Sequence, residues 1–174
     1  MWKARTLIYL NELPKAKLVI HSAVSNIEKK TKKSTIADIY DTKMQYDIDV
    51  QNYEEGEQTA KKAIQFCRNK GQRLRWTFIM ADLQELNNKA TDAYKNYSSI
   101  VNSNAAFEMA FNANLNRIRI EQNENGTKAN RIDRLRSLIK NENNKDFIDQ
   151  VYYQIAQLYY TDKDLDNAIK NYHL

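Results

Sequence analysis

Histidines, cysteines and paired carboxylates carry most metal and acid–base chemistry, and this sequence offers few of them in useful company. Its two histidines are His21 and His173, and neither has a Cys, His or carboxylate neighbour at metal-ligand spacing such as His-Glu-x-x-His. The single cysteine, Cys67, cannot form an internal disulfide; Ala63, Ile64 and Phe66 beside it mark a small buried filler rather than a reactive thiol. Asp47-Ile48-Asp49 and Glu54-Glu55 are acidic pairs. Two carboxylates work as acid and base when a desolvated cleft separates their pKa values, and these stretches read as an exposed turn and a helix start. Gly56, Gly71 and Gly126 stand alone, so no glycine-rich loop is available to cradle a phosphate. Asn96-Tyr97-Ser98 and Asn125-Gly126-Thr127 match the glycosylation triplet, which an Asn-rich chain contains by chance. The sequence therefore predicts no catalytic residue, no metal ligand and no cofactor site.

Basic residues give the main rival chemistry. Arg68, Lys70, Arg73 and Arg75 cluster near Trp76 and Phe78, and stacking aromatics beside cations are what single-stranded nucleic acid requires. The plainer reading packs Trp76 between helices and leaves the charges to cap helix ends. A net charge of +5 allows a weak acidic partner. Lys, Asn, Ile and Tyr are all abundant, as AT-rich coding also produces, so the basicity is read as background and no specific nucleic-acid partner is expected.

The elements that must position any site are helices. Three glycines and one proline in 174 residues leave little material for sheet turns, and alternating β-branched runs are absent. No apolar run approaches the roughly 20 residues of a membrane span. Met1–Arg5 carries charge where a signal peptide would begin its apolar region. One spacing recurs three times: a small residue, an Ala twelve positions on, and a large apolar residue four further, as in Ala4, Ala16, Ile20, then Ala81, Ala93, Tyr97, then Ala156, Ala168, Tyr172. In a helical hairpin the two alanines lie where antiparallel helices come closest, and the third residue fills the gap to the next hairpin.

Five hairpins follow from that pattern. The first runs as a helix over Trp2–Glu12, a turn at Leu13-Pro14, and a helix carrying Ala16, Ile20, Ala23, Val24 and Ile27 that ends in the charge run Glu28–Lys33. Ser34 is an N-cap candidate for the second, whose register is ambiguous: Ala37 matches the first small site, yet Asp49 stands twelve residues later. Gly56 marks either a longer hairpin or a close helix contact, and Asn69-Lys70-Gly71 reads as the stop of the helix that holds Ala60 and Ala63. Leu74–Leu86 and Ala90–Val101 form the third hairpin around Asn87-Asn88. The fourth begins near Ala105 and has a polar turn over Gln122–Thr127 and a helix with Ile132, Leu135, Leu138 and Ile139 inward; Asn141–Lys145 then links it to the fifth. Ala37-Asp38-Ile39, Ala81-Asp82-Leu83, Ala113-Asn114-Leu115 and Ala156-Gln157-Leu158 mark first helices at separations of 44, 32 and 43 residues. Both ends cut through a hairpin, so residues 1–174 are read as a single segment of a longer protein, truncated at both ends.

The last hairpin resembles the tetratricopeptide repeat: Tyr152, Ile155, Ala156, Tyr159, Ala168 and Tyr172 stand at its signature positions, with Lys163-Asp164 replacing the usual Gly-Asp turn. The run Arg73–Gln84 is followed by Phe107–Asn116, and with Trp2–Arg5 and Asp149–Tyr153 it resembles the tetratricopeptide lipoproteins of Bacteroidota gliding motility and type IX secretion, the SprE/PorW type. That resemblance implies a periplasm-facing, outer-membrane-associated accessory of a secretion machine, with any lipid anchor in a preceding segment.

The expected fold is all-α: a right-handed α-solenoid of about five irregular tetratricopeptide-like hairpins. In such hairpins the residues three before, one after and four after the signature Ala line the concave face. Here they are Phe78, Asp82 and Glu85; Ala110, Asn114 and Arg117; and Tyr153, Gln157 and Tyr160. Tyrosines and Phe78 offer rigid contact area and the polar residues offer hydrogen bonds. The slots that hold Lys and Asn in receptors of chaperone tails contain Phe78, Asp82, Tyr153 and Gln157, so that carboxylate clamp is missing. The expected function is a non-catalytic protein-docking scaffold with a protein or peptide partner, periplasmic by resemblance. The alternatives are a cytoplasmic peptide-binding adaptor and a basic helical-repeat protein that binds nucleic acid; oligomeric state is left open.

Overall fold

The computed structural model describes residues 1–121 and 127–174. Among these residues every regular element is helical, ten α-helices and one short 3-10 helix. The chain forms two compact units, Met1–Asn96 and Tyr97–Leu174. The N-terminal unit contains α1 (Trp2–Tyr9), α2 (Leu13–Ser25), α3 (Lys33–Asp49), α4 (Tyr53–Gln65) and α5 (Lys70–Leu86). The boundary falls within α6 (Ala90–Val101). The C-terminal unit continues with α7 (Phe107–Ile120), α8 (Lys128–Ile139), the 3-10 helix Glu142–Phe147, α9 (Ile148–Thr161) and α10 (Leu165–Tyr172). Consecutive helices pack on one another, α1 to α5 in the first unit and α7 to α10 in the second.

One turn is used four times. Asn11, Gln51, Asn88 and Lys163 have φ of 58°, 57°, 59° and 61°. Each amide donates to a carbonyl three residues back, on Ile8, Ile48, Glu85 or Tyr160. The next amide along, on Glu12, Asn52, Lys89 or Asp164, donates five residues back to Leu7, Asp47, Gln84 or Tyr159. This is the Schellman arrangement, which satisfies the last carbonyls of a helix with one left-handed residue. The position usually goes to glycine, yet here Asn, Gln, Asn and Lys occupy it. That explains why glycine content gave no clue to the turns.

These turns settle the register of the second hairpin. Seven residues before the left-handed position stand Ala4, Met44, Ala81 and Ala156; five after it stand Ala16, Gly56, Ala93 and Ala168; nine after it stand Ile20, Ala60, Tyr97 and Tyr172. All are buried except Tyr172. The twelve-plus-four spacing is therefore intact in the second hairpin, as Met44, Gly56 and Ala60. Ala37 lies two turns earlier on α3, buried on the same core, and is not the first small site. A larger residue on the first helix is matched by a smaller one on the second. A Cβ at Gly56 would come within 3.3 Å of Leu83 Cδ2 and 3.5 Å of Asp47 Cβ, so Gly56 marks a close approach.

Several helix ends differ from the sequence reading. The left-handed Asn11 stops α1 at Tyr9, and the turn is Leu10–Glu12, with Leu13 and Pro14 already in the first turn of α2. Because α2 ends at Ser25, the run Glu28–Lys33 lies almost wholly in the connection, where the Glu28 amide donates to Thr31 Oγ1 at 2.9 Å. Lys32 is the N-cap of α3, which puts Ser34 inside the helix. Asn69 starts α5 rather than stopping α4: its side chain accepts from the Gln72 amide at 2.8 Å, while Gln72 Oε1 accepts from the Arg68 amide at 2.7 Å. The link over Asn141–Lys145 is mostly 3-10 helix, with Asn141 as its cap. The expected turn Gln122–Thr127 and the triplet Asn125-Gly126-Thr127 lie outside the described residues except at Thr127, which caps α8.

Trp76 anchors the first core, together with Ala37, Met44, Ala60, Ala63 and Leu83. Its indole N–H donates to Asp41 Oδ1 at 2.9 Å, and the other oxygen of Asp41 accepts from Arg5 at 3.2 Å, so one carboxylate ties α1 and α5 to α3. With Trp76 1% exposed and Arg68 paired to Asp38 at 2.7 Å, the base-stacking arrangement is not available. Cys67 is half-buried against this core, with Arg73 Nε 3.3 Å from its sulfur. The second core gathers Phe111, Leu115, Ile118, Ile132, Leu135, Val151, Ile155 and Leu158. Phe107, Phe111 and Phe147 pack along its edge, with centroids 5.0 to 6.3 Å apart.

Candidate functional site

The residues expected on the concave face divide between the two units. Phe78, Asp82 and Glu85 lie half-buried on α5 in the first; Asn114 and Arg117 on α7 and Tyr153, Gln157 and Tyr160 on α9 lie in the second. Arg117 Nη2 donates to Asn114 Oδ1 at 2.8 Å, one turn back on α7. Ala110, the remaining α7 position, is half-buried.

On α9 the helical period brings Tyr153 and Gln157 onto one cavity of about 400 Å³. Arg119 at the end of α7 and Arg131 in α8 border it too, as do Gln154 and Thr161. Arg131 Nη1 donates to the Arg119 carbonyl oxygen at 2.8 Å, which ties α8 to α7 beside the cavity. Gln157 Nε2 donates to the Tyr172 hydroxyl at 2.8 Å, and the Tyr153 and Tyr172 rings meet at 5.9 Å between centroids. Asp162 on the rim is held by Lys128 at 3.0 Å, and Lys128 also lies 4.4 Å above the Tyr159 ring. Tyr160 lies outside it and is 58% exposed, with Tyr153 52% exposed. Leu165 and Ile169 on α10 are exposed as well. The second unit thus presents an aromatic surface beside a hollow bordered by arginine and glutamine side chains, the mixture that protein-docking sites favour.

Sequence reasoning missed Arg119, Arg131, Gln154 and Thr161, because they stand at helix-end and off-pattern positions outside the concave-face rule. No local spacing joins Arg119 to Arg131; only the antiparallel packing of α7 and α8 does.

It also misjudged Asp47 and did not single out Glu57, while Glu54-Glu55 is the exposed helix start it expected. Asp47, read as part of an exposed turn, is buried near the end of α3, where it accepts from Lys43 Nζ and from Thr59 Oγ1, each at 2.8 Å. Burial pushes its pKa up against the opposing pull of Lys43 and Thr59. Lys43 also loses solvation, but hydrogen bonds to Asp47 and Glu55 outweigh that and hold its pKa up. Glu57, one residue past Gly56, is 1% exposed and binds Lys61 and Lys89, each at 2.7 Å, and the Gln84 amide at 3.3 Å. Burial alone would raise its pKa; the two lysines and Gln84 reverse that and bring it down to about 2. Glu57 thereby ties α4 to the end of α5 and to Lys89 beyond it, and Asp47 ties α3 to α4; Asp47, Lys43 and Glu55 also border a cavity of about 290 Å³ with His21. Asn96-Tyr97-Ser98 is likewise structural, with Tyr97 fully buried and Asn96 donating to Gln84 at 2.7 Å.

Among the described residues no group of three His, Cys, Asp or Glu side chains converges as a metal site would require, and no helix is long and apolar enough to cross a membrane. No protein-family model matches the sequence, and no curated protein matches it.

Proposed function

We propose that this chain is a non-catalytic docking scaffold, a right-handed α-solenoid of tetratricopeptide type, and that its partner is a protein segment received on the C-terminal unit. The observation that carries the reading is the pairing of exposed Tyr153 and Tyr160 with a cavity beside the same helix that Arg131 borders, on hairpins that reuse one turn. Rigid aromatic side chains bind protein surfaces at low entropic cost, and a pocket beside them supplies direction. The buried carboxylates of the first unit are all engaged within the fold, which favours a scaffold over an acid–base catalyst. The resemblance over Arg73–Gln84 and Phe107–Asn116 assigns the scaffold to the periplasmic, outer-membrane-associated side of a Bacteroidota secretion or gliding apparatus, as an accessory component.

Affinity capture from envelope and cytosolic extracts of a Bacteroidota cell tests this. The parent chain is compared with the double variant Tyr153→Ala, Tyr160→Ala, and the retained proteins are identified by mass spectrometry. The reading predicts secretion-machine components on the parent and their loss from the folded variant. Retention of the same proteins by both forms overturns the site, and specific retention of cytosolic proteins alone overturns the location in favour of an adaptor.

A further inference from the structure

The cavity of the C-terminal unit holds a donor and an acceptor that the fold does not answer. Arg131 Nε and Gln154 Oε1 are buried, neither has a hydrogen-bond partner, and both residues border the same cavity. Buried polar atoms are normally paired, because an unpaired one has lost its water for nothing. Arg131 is anchored through Nη1 on the Arg119 carbonyl, so its guanidinium stays at the rim whether or not anything binds. Rotation about that anchor brings Nε, and rotation of the Gln154 side chain brings its amide oxygen, to an incoming group.

The ligand class follows from this pair. A carboxylate answers a guanidinium better than any neutral acceptor does, through charge-assisted hydrogen bonds. Among the described residues the carboxylate on the rim is Asp162, which is engaged by Lys128 and leaves Arg131 Nε unanswered. Gln154 Oε1 needs a donor, which the peptide N–H beside a carboxylate side chain supplies. The volume, about 400 Å³, suits one side chain with its flanking peptide groups. Resting on the docking reading above, we propose that the cavity receives an Asp or Glu side chain within an extended segment of the partner. Arg131 takes its carboxylate, and an amide N–H of the same segment donates to Gln154. Tyr153 flanks the entrance and covers the segment.

The test uses the full chain and a capped hexaglutamate peptide, acetylated and amidated so that it has no terminal carboxylate. Capped hexaglutamine, inorganic phosphate and a short oligothymidylate serve as comparison ligands, and binding is followed by NMR through the Gln154 side-chain amide and the Arg131 Nε–H. Hexaglutamate is expected to bind and to move both resonances, with hexaglutamine silent. Arg131→Gln should weaken binding at least tenfold and Gln154→Met several-fold, while Arg75→Gln, an exposed change in the other unit, leaves it within twofold. Circular dichroism checks each variant; should Arg131→Gln not fold, Gln154→Met decides alone. Absence of binding, equal weakening by Arg75→Gln, or equal binding of phosphate or oligothymidylate would overturn the proposal. So would a captured partner that binds Arg131→Gln and Gln154→Met as tightly as the parent while requiring Tyr153 and Tyr160. That last outcome would leave the docking scaffold standing.

Discussion

Glu57 and Asp47 are both buried carboxylates on neighbouring helices, and they respond to burial in opposite directions because their partners differ in number. Glu57 has two lysines and an amide, and its pKa falls from 4.5 to about 2. A depressed carboxylate contributes stability that is present above pH 4.5 and lost as pH falls toward 2. Asp47 has its pKa raised, so the folded state holds that proton more tightly and ionised Asp47 detracts from stability. Glu57→Gln should therefore cost about 1–3 kcal/mol at pH 7, and Asp47→Asn clearly less. Urea unfolding at pH 7 and at pH 3 checks this, with the Glu57→Gln deficit shrinking at the lower pH. Trp76→Ala, which removes the largest buried side chain and the indole bond to Asp41, should cost about 3–5 kcal/mol by the same measurement. These roles were hidden in the sequence. Asp47 reads locally as solvated charge and nothing in the local sequence singles out Glu57; only the packing of α4 between α3 and α5 buries them.

The four shared turns are the organising unit among the elements. Each places a non-glycine residue in the left-handed region, which disfavours a Cβ. Gln51→Gly and Lys163→Gly should each raise stability by about 0.5–1 kcal/mol, whereas Gln51→Val should lower it by a similar or larger amount, read as the urea midpoint. Gly56 belongs to the opposite case, since a Cβ there already meets Leu83. Gly56→Leu should cost at least about 1–3 kcal/mol through overpacking, although helix propensity favours it. The three Ala-containing hairpins were legible because a small residue recurs at the closest approach. The second was not, since Met44 and Gly56 replace two alanines and preserve spacing without preserving residue type. Pattern by identity failed there, and pattern by register succeeds. The Asn69 stop was misread because Asn serves both helix ends; Gln72 three residues on was the available sign of a start.

For the molecule as a whole, the all-helical class was legible from composition and period, since few glycines and no alternating runs leave no other element to build. The candidate site was legible only in half. Tyr153 and Gln157 share a face of α9 by simple helical spacing, and the structure brings both to one cavity. Arg119 and Arg131 complete it through contact between α7 and α8, which no local pattern encodes. Basicity proves a poor guide, because Arg68 is paired with Asp38 and Trp76 beside it is buried. Oligothymidylate binding should be weak, fall steeply with salt and be unchanged by Trp76→Phe, as measured by fluorescence anisotropy. The most direct measurement of docking on the C-terminal unit is amide hydrogen exchange of the whole chain, free and bound to its captured partner. Protection concentrated in Ile148–Thr161 and Lys128–Ile139 is the predicted result. Protection confined to Trp2–Tyr9 and Leu13–Ser25, or none anywhere, would contradict it.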